Sequence, residues 1–397
     1  MSEIADFLVK LMSAGDHSEQ VPDIKRTRWI SEQMQNVLGC ECDFQIFNDT
    51  ANVYATFGNK DAKTLCFCGH CDVVPARNWT KNPSGEIIDN RVYGRGAVDM
   101  LGGIACWFFA LKNFIKKYSK ENSKLLENVR IATILTGDEE GNGTYGTKYM
   151  VKYLLDKGEK IDACITGEPT SGYFLSVSDL DFHKLDGLCY SRAGSFTFWI
   201  KVKGKSGHIA QVGNFDNPIY KAAKLCEKLK QIEFKEFGDM TNLEILGFDA
   251  FNNTCNIILD DVKVYGNVRF FIDPCKPSVK KDLIKEKIED ICKNILGDSY
   301  ESVYKSERDG YIIDRDNDFF KLVSSCFSKY NNNLNFVVSR GCTDSEYMAK
   351  MTKNICEIGL KNKMAHKIDE YTTIQDLEDL SSIYESIIFE YAKQYCR

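Results

Sequence analysis

Several things are missing from this chain of 397 residues, and each absence removes a class of function. No block of Lys and Arg stands out and the formal net charge is −6, so a nucleic-acid-binding face is not expected. The lysines from Lys280 to Lys287 are interleaved with Asp282 and Glu286, the pattern of a solvated helix face. No run approaches the roughly 18 apolar residues of a membrane-spanning helix. The opening stretch, MSEIADFLVKLMSAGDHSE, carries acids early and spaces its apolar positions helically, which is not the pattern of a secretory signal peptide. No internal repeat or low-complexity segment occurs. Histidine is scarce, with five residues, and His17 and His183 have no accompanying motif.

Cysteine, by contrast, is plentiful at 16 residues. Most cysteines sit inside apolar runs, as Cys106, Cys164, Cys226, Cys255 and Cys292 do. They read as reduced core residues, and a cytoplasmic location is expected. Cys68 and Cys71 form a CxxC around His70, compatible with a thiolate metal site or a redox pair. No second CxxC exists, and strand alternation turns Cys71 away from His70, so a structural role is the simpler reading.

The length exceeds what one hydrophobic core usually organises, so two domains are expected. The first half alternates strands and helices: a strand over 64–74, a helix over 104–118, a strand over 128–136, a helix over 147–158 closed by Gly158, and a strand over 162–166. That order predicts an α/β catalytic domain, mostly parallel in its sheet, with helices on both faces. Near residue 193 the pattern changes. A strand over 195–204, a helix over 217–232, strands near 255–259 and 263–272 and a helix over 279–296 predict a smaller inserted α+β domain of ferredoxin-like type. The expected division is 1–192 with 311–397 for the larger domain and 193–310 for the insert. A long helix over 377–395 ends the pattern.

Chemistry gathers at a few short motifs. In CGHCDVVP, His70 and Asp72 fall on one face, so His70 can bind a metal while Asp72 orients its ring; a simple His–Asp pair at a strand end fits equally. In YGRGAVDMLGG, Asp99 lies in a Gly-rich turn before a helix, where ligands collect in open α/β sheets and where an Asp can also cap the helix. In LTGDEEG, three consecutive acids follow an apolar strand and need a cation or proton to offset their repulsion. Glu140 there suits a metal, and Glu139 suits a general base. In CITGEPTS, Glu168 repeats the pattern of an acid at a strand end. His208 in GKSGHIA and His366 in MAHKIDE complete the set. Imidazole plus carboxylates without paired thiolates suits zinc and related divalent ions. More than three candidate ligands fits two ions about 3.5–4 Å apart sharing one carboxylate, beside which a free Glu can move the proton of an attacking water.

Taken in order, GHCDVVP, GRGAVDMLGG, TGDEEG, GEPT, GKSGHIA and HKIDE resemble the co-catalytic metallo-aminoacylase and carboxypeptidase family of amidohydrolases, over nearly the whole chain. The resemblance implies His70, Glu140, Glu168 and His366 as terminal ligands, Asp99 as the bridge between two Zn2+ ions (Co2+ being an alternative), Asp72 as the residue orienting His70, and Glu139 as base and acid. It implies a homodimer formed through the inserted domain, with His208 reaching the partner's site to hold an oxyanion. Phe196 or Phe198 would be candidates for the dimer surface, and equally for the core. Four stretches resemble the branch of the family whose substrates carry several carboxylates. They point to Arg192, Ser195, Asn256, Arg269, Gly341, Cys342 and Asn362 as substrate contacts, the guanidinium groups suiting carboxylates bidentately. Leu101, Arg340 and Cys342 depart from the family pattern, where Lys or Arg, Gly and Thr are expected. Two other classes are weaker. A non-catalytic binding relative would have lost Glu139 or a ligand, and a dithiol oxidoreductase would rest on Cys68 and Cys71 alone.

Overall fold

The computed structural model describes residues 2–18, 24–121, 123–232, 241–252, 254–271 and 281–394. The chain divides into two units: Met1–Tyr190 with Ile313–Val338 and Thr343–Arg397, and Ser191–Ile312 with the short stretch Ser339–Cys342.

In the first unit, strands run in the order Glu41–Phe47, Thr50–Gly58, Arg130–Thr136, Thr64–His70, Ala163–Thr166 and Ile355–Glu357. The last four are mutually parallel, and the first two form an antiparallel hairpin at the edge. That hairpin turns at Asn48 and Asp49, both with positive φ, a conformation these residue types tolerate. From strand Thr64–His70 the chain crosses through helix Leu101–Glu121 to Arg130–Thr136 on one side. It then returns through helix Thr147–Asp156 to Ala163–Thr166 on the other. Right-handed crossovers in opposite directions place these helices on opposite faces. They also make the carboxyl ends of the three strands a topological switch point.

Packing explains how close the elements come. Trp107 on helix Leu101–Glu121 is fully buried, stacks on Phe67 at 5.0 Å and donates through Nε1 to Thr133 Oγ1 at 2.8 Å. A side chain of this kind contributes about 1.5–3 kcal/mol when taken from water. At the start of the helix a Cβ on Gly103 would stand 2.6 Å from the Gly167 carbonyl oxygen, so only glycine lets the helix start sit against the strand end that carries Glu168. Helix Ile374–Gln394 packs beside Leu101–Glu121 and buries Leu377, Leu380, Tyr384 and Ile388.

The second unit holds a four-stranded antiparallel sheet in the order Asn242–Asp249, Asp261–Phe270, Gly194–Lys203, Tyr300–Arg308. Helices Pro218–Lys230 and Lys281–Leu296 pack on it through Leu225, Leu229, Ile284, Ile288 and Cys292. Counted in chain order the strands lie 2-3-1-4, the ferredoxin-like arrangement. Phe196, Phe198, Ile200 and Val202 all face this core, so neither phenylalanine belongs to an exposed surface.

Some expectations need correction. Of the two strands expected near 255–259 and 263–272, the second is found as Asp261–Phe270. The first of these is only the two-residue strand Ile257–Ile258, paired with Gly207–His208, and the true second strand is Asn242–Asp249. Strands Asn242–Asp249 and Tyr300–Arg308 are sheet edges with solvated positions, so neither shows the apolar alternation that marks a half-buried strand. The strand read over 64–74 ends at His70. Val279 and Lys280, read as the start of a helix, lie outside the described residues.

Candidate metal centre

Each acid or imidazole of the first unit reaches the centre because a strand or helix ends just before or after it. His70 is the last residue of its strand and 1 % exposed. Glu139 and Glu140 follow the strand ending at Thr136, and Glu168 follows the one ending at Thr166. Asp99 comes two residues before helix Leu101–Glu121, and His366, with φ 62°, follows the short helical turn Asn362–Met364.

The distances converge on Asp99. Its Oδ1 lies 3.3 Å from His70 Nε2, and its Oδ2 lies 3.1 Å from His366 Nε2. His70 Nε2 is also 3.7 Å from Glu168 Oε1, and His366 Nε2 is 2.7 Å from Glu140 Oε1. One carboxylate therefore faces two imidazoles, and each imidazole has a further acid of its own. Ligand atoms of His70, Asp99 and Glu140 lie within 4.8 Å of one another.

This crowding shapes the charges. Burial alone would lower the His70 imidazole, but Asp99, Glu139, Asp72 and Glu168 outweigh it and hold the ring well above its usual range. Asp99 and Glu140 accept from His366 and push it up to about 11. Burial pushes Asp99 up, yet the two imidazoles prevail and keep it well below the carboxylate range. Burial also drives Glu139 well above the carboxylate range, helped by Glu168, Asp344 and Glu140 and opposed by His70. Several carboxylates around two imidazoles call for a cation. The donors are nitrogen and oxygen, and Asp99 Oδ1 is buried without a hydrogen-bond partner, so the set fits a divalent metal.

Asp72 works differently from the expectation. The group bonded to His70 Nδ1 is the Asp72 backbone carbonyl at 2.9 Å, while the carboxylate stands 3.7 Å away. That carboxylate accepts from the backbone N–H groups of Glu140 at 2.9 Å and Glu139 at 3.3 Å. Asp72 therefore fixes the ring with its main chain and the acidic loop with its side chain, because the strand stops at His70 and the chain turns. Burial pushes its carboxyl up to about 6. Asp138, the first of the three acids, folds back to accept from the N–H groups of Asn142, Thr144 and Tyr145 and so shapes the loop.

Sequence reasoning passed over two supports. Arg26, fully buried, donates through Nη1 to the Cys71 carbonyl at 2.8 Å and braces the turn between His70 and Asp72. Glu370, the final letter of HKIDE, accepts from the N–H groups of Val98 and Asp99. A His four residues earlier was the only nearby signal. Cys68 and Cys71 carry free thiols, and burial pushes Cys71 up to about 12, which disfavours a thiolate ligand. Asn362 donates to the Pro169 carbonyl at 3.3 Å, beside Glu168.

The remaining candidates lie in the second unit and form two groups. Ser195 and Arg269 face each other across adjacent strands, and Arg269 Nη1 lies 3.1 Å from Cys342 Sγ. Arg192 donates to Ser339 Oγ at 3.0 Å, and a side chain at Gly341 would meet its Nη1 at 3.2 Å. The Cys342 thiol thus does engage a guanidinium, despite lacking a hydroxyl. His208 Nε2 lies 3.0 Å from the Asn256 amide, and its Nδ1 accepts from Ala210 N. Leu101, where a cation was expected, is fully buried in the first unit's core.

With this geometry established, comparison with known proteins gives it a lineage. Residues 66–390 match peptidase family M20/M25/M40, and the chain belongs to that family. It is an enzyme, a metal-dependent amidohydrolase. A succinyl-diaminopimelate desuccinylase of Rickettsia bellii (strain OSU 85-389) is 35 % identical over 367 residues, covering 89 % of this chain and 88 % of that one. Two solved structures share the fold. The aminopeptidase PepT of Bacillus cereus ATCC 10987 matches with a TM-score of 0.76 at 16 % identity, covering 98 % of each chain. The YXEP protein of Bacillus subtilis, described as a dinuclear metal-binding peptidase, matches with a TM-score of 0.69 at 14 % identity over 98 % of this chain and 99 % of its own. No helix among the described residues is long and apolar enough to cross a membrane.

Proposed function

We propose that this chain hydrolyses N-succinyl-LL-diaminopimelate to succinate and LL-diaminopimelate, in the biosynthesis of diaminopimelate and lysine in the cytoplasm. The observation that carries the metal assignment is the sharing of Asp99, whose two oxygens face two different imidazoles. On this reading Asp99 would be the ligand shared by two divalent ions, Zn2+ or in its place Co2+. His70 with Glu168 would hold one ion and His366 with Glu140 the other. The substrate assignment draws on the desuccinylase relative at 35 % identity.

Divalent ions held there would acidify water and polarise the amide carbonyl. Glu139 takes the proton of the attacking water, a task suited to a carboxyl that burial raises well above the carboxylate range. The carbonyl carbon gains a C–O bond, and the C–N bond breaks. Glu139 returns its proton to the departing nitrogen, and the second water proton, left on the new carboxyl group, passes to the amine, so the products are a carboxylate and an ammonium. Asp72 keeps Glu139 in place through the loop amides. Arg192, Ser195, Asn256, Arg269, Gly341, Cys342 and Asn362 recognise the substrate, the two arginines pairing with its carboxylates. His208 holds the oxyanion of a neighbouring subunit in a homodimer. The solvent-facing edge strand Asn242–Asp249, with Leu246 66 % exposed and Phe251 just beyond it 84 % exposed, supports self-association.

The test is hydrolysis of N-succinyl-LL-diaminopimelate and N-acetylornithine in parallel by zinc-loaded protein, with a chelator control. Cleavage of the succinyl compound alone, lost with chelator and restored by zinc, is expected. Cleavage of the acetyl compound instead would keep the metal centre and overturn the substrate, moving the chain to an acetylornithine deacetylase or a related N-acyl amino-acid hydrolase. Chelator-insensitive turnover would overturn the metal assignment.

A further inference from the structure

Asp99 sits where nothing regular holds the chain. Residues 94–100 form a succession of turns between the short strand Arg91–Tyr93 and helix Leu101–Glu121. A bridging carboxylate needs a fixed Cα, and turn backbone does not supply one by itself. The turn is gripped instead by a single residue from the far end of the chain. Glu370 is fully buried. One carboxylate oxygen accepts from Val98 N at 2.7 Å and from Asp99 N at 3.1 Å. The other oxygen pairs with Arg95 Nη1 at 2.6 Å, and Arg95 is itself 3 % exposed. The Glu370 backbone carbonyl accepts from Gly94 N at 3.0 Å, and the next residue, Tyr371, pairs in register with Tyr93. Both ends and the middle of the turn are thereby tied to one segment, and four residues earlier that segment carries His366, which faces Asp99 Oδ2.

A buried ion pair is a poor source of stability, because desolvating both charges offsets most of their attraction. What this pair supplies is direction: two buried N–H groups that would otherwise lack an acceptor are aimed at one carboxylate. We propose that Glu370 is a positioning residue that clamps the turn of Asp99 and sets the bridging carboxylate between the two imidazoles. This rests on the metal-centre assignment proposed above. Glu370 touches no substrate, and its effect passes through Asp99.

Two double variants isolate the clamp. Glu370→Gln with Arg95→Met removes the ion pair but keeps an amide oxygen for the two N–H groups. Glu370→Ala with Arg95→Met removes both. Zinc affinity is read by competition with a chromophoric chelator, alongside the melting temperature of the metal-free protein and kcat and KM of the loaded one. Supporting residues around metal ligands typically shift affinity by about 10- to 100-fold. The Ala/Met variant is expected to lose zinc affinity by that factor and to lose kcat with little change in KM, while the Gln/Met variant recovers most of both. Equal zinc affinity in the two folded variants would overturn the proposal. If Ala/Met does not fold, Glu370→Asp is read instead. It keeps the charge but withdraws the acceptor by one methylene, so it must weaken zinc as well, and unchanged affinity would overturn the clamp. Asp99→Asn in the same titration separates this from the underlying assignment. Loss of affinity in Asp99→Asn but not in the Glu370 variants sinks only the clamp, whereas wild-type affinity in Asp99→Asn sinks the metal centre itself.

Discussion

The two units concentrate opposite charges. The first gathers Asp72, Asp99, Glu139, Glu140 and Glu168 around His70 and His366. The second sets Arg192 and Arg269 near Ser339, Gly341 and Cys342. An excess of carboxylates asks for a cation, and a pair of guanidinium groups asks for an anion. On the function proposed above, bond-breaking would belong to the first unit and recognition to the second. The contrast also shows in the architecture. Glu139, Glu140 and Glu168 follow the ends of buried parallel strands, with Arg26 and Glu370 bracing the turns beside them, while Ser195 and Arg269 of the second unit lie on an antiparallel sheet with solvated edges.

Breaking the first unit's chemistry should have the largest effect. Glu139→Ala is expected to lower kcat by about 100- to 10,000-fold, the range of general acid–base catalysis, with bound zinc unchanged by atomic absorption. Loss of zinc together with rate would make Glu139 a ligand and not the base. Replacing a recognition residue should cost less and cost selectively. Arg269→Met is expected to reduce kcat/KM for the succinyl substrate by about 10- to 100-fold, the worth of one charged hydrogen bond, and to spare an acyl substrate without that carboxylate. A uniform loss across substrates would show Arg269 to be structural.

Within the second unit the comparison sharpens between buried and exposed aromatics. Phe198→Ala should destabilise the protein by about 3–5 kcal/mol in denaturant unfolding, since Phe198 is 3 % exposed in the core. Phe251→Ala should change stability by no more than about 0.5 kcal/mol yet weaken self-association in sedimentation equilibrium. A dimer indifferent to Phe251 would move the interface elsewhere.

The smallest effect is expected away from both regions, at the Glu159–Arg130 pair of the first unit. Hydrogen bonding from Arg130 holds Glu159 below its ordinary value of 4.5. The folded value lies below the unfolded one, so the stabilisation is complete above about 4.5 and is lost as pH falls through the depressed value. Glu159→Gln should therefore flatten the acid limb of stability against pH without altering turnover at neutral pH. An unchanged acid limb would show the pair to contribute nothing.

The convergence of the candidate metal-centre residues was largely legible in the sequence because their motifs are short and contiguous, and His70, Glu140 and Glu168 stand at the ends of parallel strands, which the topology brings together. His70, Asp99, Glu140, Glu168 and His366 all meet. What escaped has physical reasons. Asp72 grips His70 through a main-chain carbonyl, which no residue type encodes. Arg26 and Glu370 act on backbone atoms far along the chain; nothing beside Arg26 points there, and the motif that ends in Glu370 drew attention only to its His366. Strand Thr50–Gly58 lacks alternation because both its faces are buried from Thr50 to Ala55, whereas Glu41–Phe47 and the edge strands Asn242–Asp249 and Tyr300–Arg308 are solvated along much of both faces.

Glu370 and His366 also set a timetable. Four elements of the centre are synthesised by residue 168, but the second imidazole and the clamp lie nearly two hundred residues later, beyond the whole second unit. At about 5–20 residues per second, a ribosome leaves the nascent acid cluster for roughly 10–40 s with one imidazole and an ungripped Asp99 turn. The centre is therefore closed only after the second unit has been made, by residues 366–370, and a product truncated before them would carry its carboxylates without completing the site.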